Sequence, residues 1–131
     1  MSAAPVLILT VIYARDIGRV ASFYARTLAL PVLEEQPGYV VLGNDALEIA
    51  VVRMAEAAAG GDSEAAAPRR REETPVKPSF LVEDFEPVRL EAIAAGGGMK
   101  PASSAWSWRG QLHLDGHDPE GNIVQFRCRE P

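Results

Sequence analysis

The chain of 131 residues carries a formal net charge of -5 and is 47% hydrophobic, which is typical of one soluble globular domain that needs no disulfide or metal to fold. A sequence pI near 5.0 disfavours nucleic acid and anionic membranes as partners, because their phosphate groups repel a negative protein. The chain has one cysteine, Cys128, which excludes an intrachain disulfide. The apolar run in the first ten residues is too short for a signal peptide or a membrane span. We therefore predict a cytoplasmic protein.

The first half of the chain is predicted to form a strand, a helix and three further strands. An apolar, β-branched run over residues 6–13 predicts the first strand. Asp16 can cap a helix whose apolar residues keep helical spacing over residues 17–28, and Pro31 prevents its continuation. Turn residues separate three further predicted strands at residues 32–35, 39–42 and 46–53.

Residues 55–75 lose this periodicity and are rich in Ala, Gly, Ser and Glu, which predicts a mobile linker. Within it, Arg69, Arg70 and Arg71 stand beside Glu72 and Glu73. The arginine run could bind an anion, but a solvated loop with charges of both signs is the simpler interpretation.

The opening pattern returns after the linker. A strand ending at residues 80–82 precedes Asp84, which can cap a second helix that stops at Gly96. A flexible loop with Trp106 and Trp108, a strand at residues 111–115 and a final strand at residues 122–129 follow. Asp16 and Asp84 are both predicted helix caps and lie 68 residues apart. We therefore predict a single domain that contains two copies of one module, at about residues 5–54 and 76–131.

The clearest local signal is the turn before the last strand. Asp118, Pro119 and Gly121 occupy the first, second and fourth positions that favour a type I turn. Beyond the turn, apolar residues alternate with Gln125 and Arg127, which predicts a strand with a core face and a polar face.

Three groups of residues resemble the vicinal oxygen chelate superfamily, which includes glyoxalase I, the bleomycin-resistance proteins and the extradiol dioxygenases. They are Arg15-Asp16-Ile17 with Ser22-Phe23-Tyr24, Leu28-Ala29-Leu30-Pro31, and Asp118-Pro119-Glu120-Gly121-Asn122. The resemblance implies an α+β fold in which two βαβββ modules form a curved, barrel-like mixed sheet around a cavity, with helices outside. It also implies a homodimer, often with the partner chain completing the cavity.

The resemblance also implies four positions for a metal ion, one on the first and one on the last strand of each module. In this chain they fall on Leu9, Glu48, Lys77 and Gln125. Leu9 has no donor atom, Lys77 repels a cation and Gln125 is a weak neutral ligand. We therefore expect no metal and no other cofactor. The same register directs Glu48 and Lys77 into the cavity as a charge pair, which either takes over part of the metal's electrostatic role or only neutralises the site.

The second module supplies the other candidates for a binding site. His113 shares a strand face with Gln111, where it could shuttle a proton or be held by a backbone group. Trp106 and Trp108 offer flat apolar surface to a ligand, or close the end of the sheet, or lie in a dimer interface. Further candidates for the cavity wall are Tyr13, Tyr39 and Arg127.

We predict a metal-independent small-molecule-binding protein of the glyoxalase and bleomycin-resistance type. Its ligand is expected in the cavity, in contact with Glu48, Lys77, Trp106, Trp108, Gln111, His113, Gln125 and Arg127. The alternative is a lyase, isomerase or dioxygenase with an atypical metal site or with acid–base catalysis by Glu48 and His113. A third interpretation is a dimeric interaction module whose cavity is filled by side chains.

Overall fold

The computed structural model describes residues 7–55 and 69–131, which form two helices and two mixed β-sheets, as predicted for an α+β fold. The first half contains β1 (Leu9–Ala14), α1 (Ile17–Leu28), β2 (Val32–Gln36), β3 (Tyr39–Gly43) and β4 (Glu48–Arg53). The second half contains β5 (Ser79–Leu81), α2 (Phe85–Ala94), β6 (Gly98–Met99), β7 (Trp106–Trp108), β8 (Gln111–His117) and β9 (Ile123–Arg129). Most of the predicted linker lies outside the described residues.

Helix α1 begins and ends where its local chemistry predicts. The side chain of Asp16 accepts a hydrogen bond from the backbone N–H of Arg19 at 3.0 Å, which satisfies one of the unpaired donors of the first turn. The helix ends at Ala29, whose φ of 53° is left-handed, two residues before Pro31. The predicted cap and both helix bounds are therefore confirmed.

The two sheets repeat one arrangement of strands. The first sheet has the order β1-β4-β3-β2, and the second has the order β5-β9-β8-β6 with β7 also paired to β8. In each sheet the first strand is parallel to the last, whereas the other pairs are antiparallel. This order places the first and last strands of each half side by side.

The hydrophobic core lies between the sheets and the two helices. On β9 the side chains of Val124, Phe126 and Cys128 are buried in this core, whereas Gln125 and Arg127 lie on the opposite face. The predicted alternation of the last strand is therefore confirmed. Each fully buried large apolar side chain contributes roughly 1.5–3 kcal/mol, so this face holds β9 firmly in its register.

The segment with the two tryptophans is a strand, so the prediction of a flexible loop there is wrong. Trp106 pairs with His113 and Trp108 pairs with Gln111 in an antiparallel hairpin. Arg109 and Gly110 connect the strands with φ values of 56° and 74°, the double left-handed geometry of a type I′ turn. The turn was missed because arginine is an unusual first residue for it.

The closing turn joins the two halves of the chain. Gly121 donates its N–H to the carbonyl of Asp118 at 3.0 Å, so the predicted turn is confirmed. The buried carboxylate of Asp118 accepts the hydroxyl proton of Tyr24 at 2.7 Å. Burial, and then the charge of Asp118, raise the pKa of Tyr24 well above its usual value.

Glu120 extends the same connection to the start of α1. Its carboxylate accepts the backbone N–H groups of Arg15 and Asp16 at 2.9 and 2.8 Å. A negative group at this end of a helix is favourable for the helix dipole. Two of the three motifs that carry the family resemblance therefore contact each other and connect the two halves of the chain.

The described end of the predicted linker packs against this turn. The backbone N–H of Arg71 binds the carbonyl of Gly121 at 2.8 Å. A side chain at Gly121 would collide with the backbone of Arg69, and its φ of 87° also favours glycine. Across residues 7–55 and 69–131 we find no helix that is both long and apolar enough to span a membrane.

Candidate functional site

The side chains of Ser79, Gln111, His113, Gln125 and Arg127 lie together on one side of the second sheet, which we call the polar face. Strand register brings them together, because β5, β9, β8 and β7 are neighbours. His113 lies between Trp106 on β7 and Arg127 on β9, and Ser79 lies beside Gln125. Four of the five were predicted to line a ligand site.

Two indole rings cover His113, which is only 2% exposed. The ring of Trp106 stacks on the imidazole with centroids 4.4 Å apart and planes within 13°. The ring of Trp108 is tilted, with its centroid 5.7 Å away. The tryptophans themselves are 47% and 57% exposed, so their outer surfaces remain open to a ligand.

Both ring nitrogens of His113 are held by the protein. Nε2 lies 3.1 Å from the carbonyl oxygen of Trp108, which can only accept, so Nε2 carries a proton. Nδ1 lies 3.0 Å from the side-chain amide of Gln125, which either donates to it or accepts from it, depending on the orientation of the amide. The backbone contact expected for a structural histidine is present, and no ring nitrogen is left for a substrate.

A chain of hydrogen bonds continues from His113 to Arg127. The hydroxyl of Ser79 forms a hydrogen bond with the side-chain amide of Gln125 at 2.6 Å and accepts the Nε–H of Arg127 at 2.9 Å. Arg127 also donates through Nη1 to the amide oxygen of Gln111 at 2.9 Å. Ser79 was not among the predicted site residues, although strand alternation places it on the same face as Lys77, two residues earlier.

The four positions that the family uses for metal are divided between the sheets. Leu9 lies opposite Glu48 on the first sheet, whereas Ser79 lies opposite Gln125 on the second. Lys77 precedes β5, and its ammonium binds Asp115 on β8 at 3.0 Å. The hypothesis of a Lys77–Glu48 pair is therefore wrong, because a carboxylate of its own sheet provides the counterion.

These residues do not fit a divalent metal ion. Gln125 already binds Ser79 and His113, Lys77 is cationic, and Leu9 offers no donor atom. Nor does any group of three or more His, Cys, Asp or Glu side chains suited to a metal occur in the part of the chain that the structure describes.

The two tyrosines proposed for the cavity wall lie on the first sheet. Tyr13 is exposed on β1 and is the register partner of Val52. Tyr39 on β3 donates its hydroxyl to Glu34 at 2.8 Å, and this hydrogen bond is the main reason why its pKa is raised. Both tyrosines therefore lie on a different sheet from the polar face.

A cleft of about 810 Å³ lies beside the polar face, between the two halves of the chain. Leu28 and Leu47 of the first half and Phe80 of the second belong to its mainly apolar lining. Ser79 and Arg127 line it as well, so Arg127 is shared by the cleft and the polar face.

Comparison with known proteins agrees with this fold. A family model described as a glyoxalase-like domain matches residues 9–126. A glyoxalase/bleomycin resistance protein/dioxygenase family enzyme from Burkholderia phytofirmans PsJN is similar, with a TM-score of 0.65, 19% identity and coverage of 93% of this chain and 97% of that one. A glyoxalase-related enzyme from Fulvimarina pelagi has a TM-score of 0.67 and 14% identity, with coverage of 97% and 89%.

The antibiotic binding protein TnmS3 from Streptomyces sp. CB03234 is a third similar structure. Its TM-score is 0.65 at 14% identity, with coverage of 99% of this chain and 100% of that one. At these identities the solved structures show the fold alone, and no curated protein matches the chain. Since the family model spans almost all described residues, the chain belongs to the glyoxalase-like domain family of the vicinal oxygen chelate superfamily.

Proposed function

We propose that this protein is a metal-independent, cytoplasmic small-molecule-binding protein whose ligand lies against Trp106 and Trp108 on the polar face. The observation that carries the proposal is a pair of half-exposed indoles fixed on a strand beside ordered polar groups. Binding sites for small molecules typically combine flat apolar surface with a few oriented polar groups. The antibiotic binding protein TnmS3 shares the fold, which supports a binding role for this family member.

Intrinsic fluorescence tests this proposal directly, because Trp106 and Trp108 are the only two tryptophans of the chain. A ligand on the polar face should change the emission saturably and should raise the melting temperature, since binding to the folded state stabilises it. Screening a library of aromatic and antibiotic compounds by both readouts identifies candidates. Trp106→Phe and Trp108→Phe then separate the two indoles.

Two outcomes would overturn the proposal. A ligand that raises the melting temperature while leaving both indoles unaffected binds elsewhere. A stoichiometric transition metal in the protein, purified after expression in metal-supplemented medium and measured by mass spectrometry, contradicts the metal-independent role. Leu33→Ala, on the first sheet, is the matched control for removing an exposed apolar side chain away from the polar face.

We also propose that the 131 residues form one domain of two modules. The contacts from the turn of Asp118 to Tyr24 and from Glu120 to the start of α1 connect the two halves. The helices α1 and α2 are further joined by the ion pair of Arg26 and Glu91 at 2.7 Å. These connections favour a single cooperative unit.

A homodimer is the oligomeric state that we propose. On β1 the side chains of Leu9, Val11 and Tyr13 form an exposed apolar row along one face of the first sheet. An exposed apolar surface of this kind is typical of a protein interface. A partner covering this row would bury it without touching the core.

The enzymatic alternative receives no support from the geometry. Glu48 lies on the first sheet, whereas His113 lies on the second and has both ring nitrogens bound within the protein. An acid–base pair needs a group within hydrogen-bond reach of the substrate. The third interpretation, an interaction module whose cavity is filled by side chains, does not fit the open cleft of about 810 Å³ either.

A further inference from the structure

Arg127 is a half-buried cation whose protein partners are all neutral. Its Nε and Nη1 donate to the hydroxyl of Ser79 and the amide oxygen of Gln111, each at 2.9 Å. Nη2 lies 3.5 Å from the carbonyl of Ser79, which is a long contact. A guanidinium has five N–H donors, so these three bonds leave two without an acceptor among the described residues.

Within residues 7–55 and 69–131, no carboxylate forms an ion pair with Arg127. Its neighbours across the strands are His113 on β8 and Leu81 on β5. Along β9 the next residues on the same face are Gln125 and Arg129. On the polar face, the carboxylate of Asp115 is already bound by Lys77. Glu83 and Asp84 line the same cleft as Arg127, but no ion pair joins either of them to Arg127. A partly buried charge without an opposite charge is costly. The chain has enough carboxylates to provide one, since it contains 18 acidic residues and has a net charge of -5.

We propose that the ligand is an aromatic or similarly flat molecule with an anionic group, a carboxylate or a sulfonate, which binds the free donors of Arg127. The inference rests on the proposed function and names the ligand class for that site. Guanidinium groups bind such oxyanions through paired N–H donors, and these charge-assisted hydrogen bonds are about twice as strong as neutral ones. The anionic group of the ligand therefore acts as the counterion of Arg127, which the protein does not provide.

The geometry sets the size of such a ligand. Trp106 and Arg127 are register partners of His113 on opposite sides, so their backbones lie two strand spacings apart, about 10 Å. The indole of Trp106 covers the imidazole between them, which keeps the histidine away from the ligand. The amide nitrogen of Gln111 is a further donor beside the guanidinium. One or two fused rings with an anion at the edge span this distance.

Two fluorescent probes test the inference because they differ in one group. 1-Anilinonaphthalene-8-sulfonate carries a sulfonate, and N-phenyl-1-naphthylamine has the same ring system without it. Each probe is titrated into the full chain, and its dissociation constant and stoichiometry are measured. We expect the sulfonate probe to bind about tenfold more tightly than the neutral probe, the gain that one charge-assisted hydrogen bond gives.

Substitution of Arg127 should remove this preference. R127Q is expected to weaken binding of the sulfonate probe about tenfold and to leave the neutral probe unchanged, which also shows that the face is intact. R127K keeps the charge and should retain more of the preference than R127Q. R26Q removes the same charge from the helix side, where Arg26 binds Glu91, and should leave both affinities unchanged.

The outcomes separate the inference from the proposed function. If both probes bind equally and displace each other, and R127Q changes neither, the anion inference is wrong while the binding role stands. If neither probe binds saturably, the proposed function fails. Should R127Q not fold, salt dependence of the wild type decides, because only the sulfonate probe should weaken with ionic strength; equal behaviour of the probes overturns the inference.

Discussion

Tyr24 and Asp118 illustrate how single residues of a family motif can serve the fold rather than the chemistry. The carboxylate of Asp118 is fully buried and accepts four hydrogen bonds, from the Tyr24 hydroxyl, two backbone N–H groups and the side chain of Asn122. A buried charge is tolerated only when its hydrogen bonds are made. Removal of one of these donors should therefore lower the free energy of unfolding by more than an average hydrogen bond contributes.

The variant Tyr24→Phe should lower the free energy of unfolding by about 1–3 kcal/mol, because Asp118 loses a buried donor. Urea denaturation followed by circular dichroism measures the change. Tyr39→Phe is the matched control, since the Tyr39 hydroxyl binds the exposed carboxylate of Glu34 and its loss should cost less than about 0.5 kcal/mol. Equal effects of the two variants would contradict the structural role of Tyr24.

His117 is expected to make the stability of the protein depend on pH. Partial burial, and then the positive charge of Arg70, lower the pKa of His117 below its ordinary value of 6.5. A depressed pKa means that the unfolded chain binds the proton more tightly, so the stabilisation is present above pH 6.5 and is lost as the pH falls below it. We expect unfolding to become easier from about pH 7 to about pH 5.

His117→Gln should flatten this part of the pH profile, and Arg70→Gln should shift it toward the ordinary pKa. Thermal melts at half-unit pH steps measure both effects. A wild-type profile that does not change over this interval, or one that is identical in His117→Gln, would argue against the assignment.

At the level of single elements, the hairpin of β7 and β8 positions the proposed ligand surface. Its turn requires two consecutive residues in the left-handed region, and its strands place Trp106 over His113. The guanidinium of Arg109 lies 5.5 Å from the ring of Trp108, which offsets part of the cost of a left-handed arginine. The turn therefore controls where both indoles lie.

Gly110→Ala should destabilise the protein by about 1–2 kcal/mol and should weaken ligand binding, because a left-handed alanine is strained. A Cβ at Gly110 meets no atom within 4 Å, so steric contact contributes nothing to this effect. Gly38→Ala is the control, since its Cβ is equally free but its φ is not left-handed. That variant should be neutral or stabilising by up to about 1 kcal/mol. Thermal denaturation compares the two, and equal stabilities would contradict the turn assignment.

At the level of the whole molecule, its two sheets present different surfaces. The second sheet carries an ordered polar network beneath two indoles, whereas the first carries an apolar row along β1. Ligand binding is proposed for the former and dimer formation for the latter. The two roles can be separated by mutation because they lie on different sheets.

The variant Val11→Lys should convert the proposed dimer to a monomer, because a charge in an apolar interface loses its hydration without a partner. Light scattering coupled to size-exclusion chromatography should then give a mass near 14.1 kDa instead of about twice that value. Leu90→Lys, at an exposed position of α2, should leave the mass unchanged. A monomeric wild type would refute the dimer, and a dimeric Val11→Lys would place the interface elsewhere.

Much of the fold was predictable from the sequence because it depends on local patterns. The cap at Asp16 and the apolar spacing after it predicted α1 to the residue, and the turn of Asp118 predicted the start of β9 within one residue. The alternation along β9 assigned Gln125 and Arg127 to the polar face. Each of these features is determined by neighbours a few positions away.

The detailed site was decided by tertiary structure. Lys77 was expected beside Glu48 but binds Asp115, because the choice of counterion depends on which strands become neighbours. Ser79 joins the site only through its register with Gln125. His113 has no free ring nitrogen because Trp108 on β7 binds Nε2 and Gln125 on β9 binds Nδ1. By itself the sequence determined the elements and their faces through short-range periodicity. Only tertiary structure decided the partners, because strand register brings together side chains that are distant along the chain.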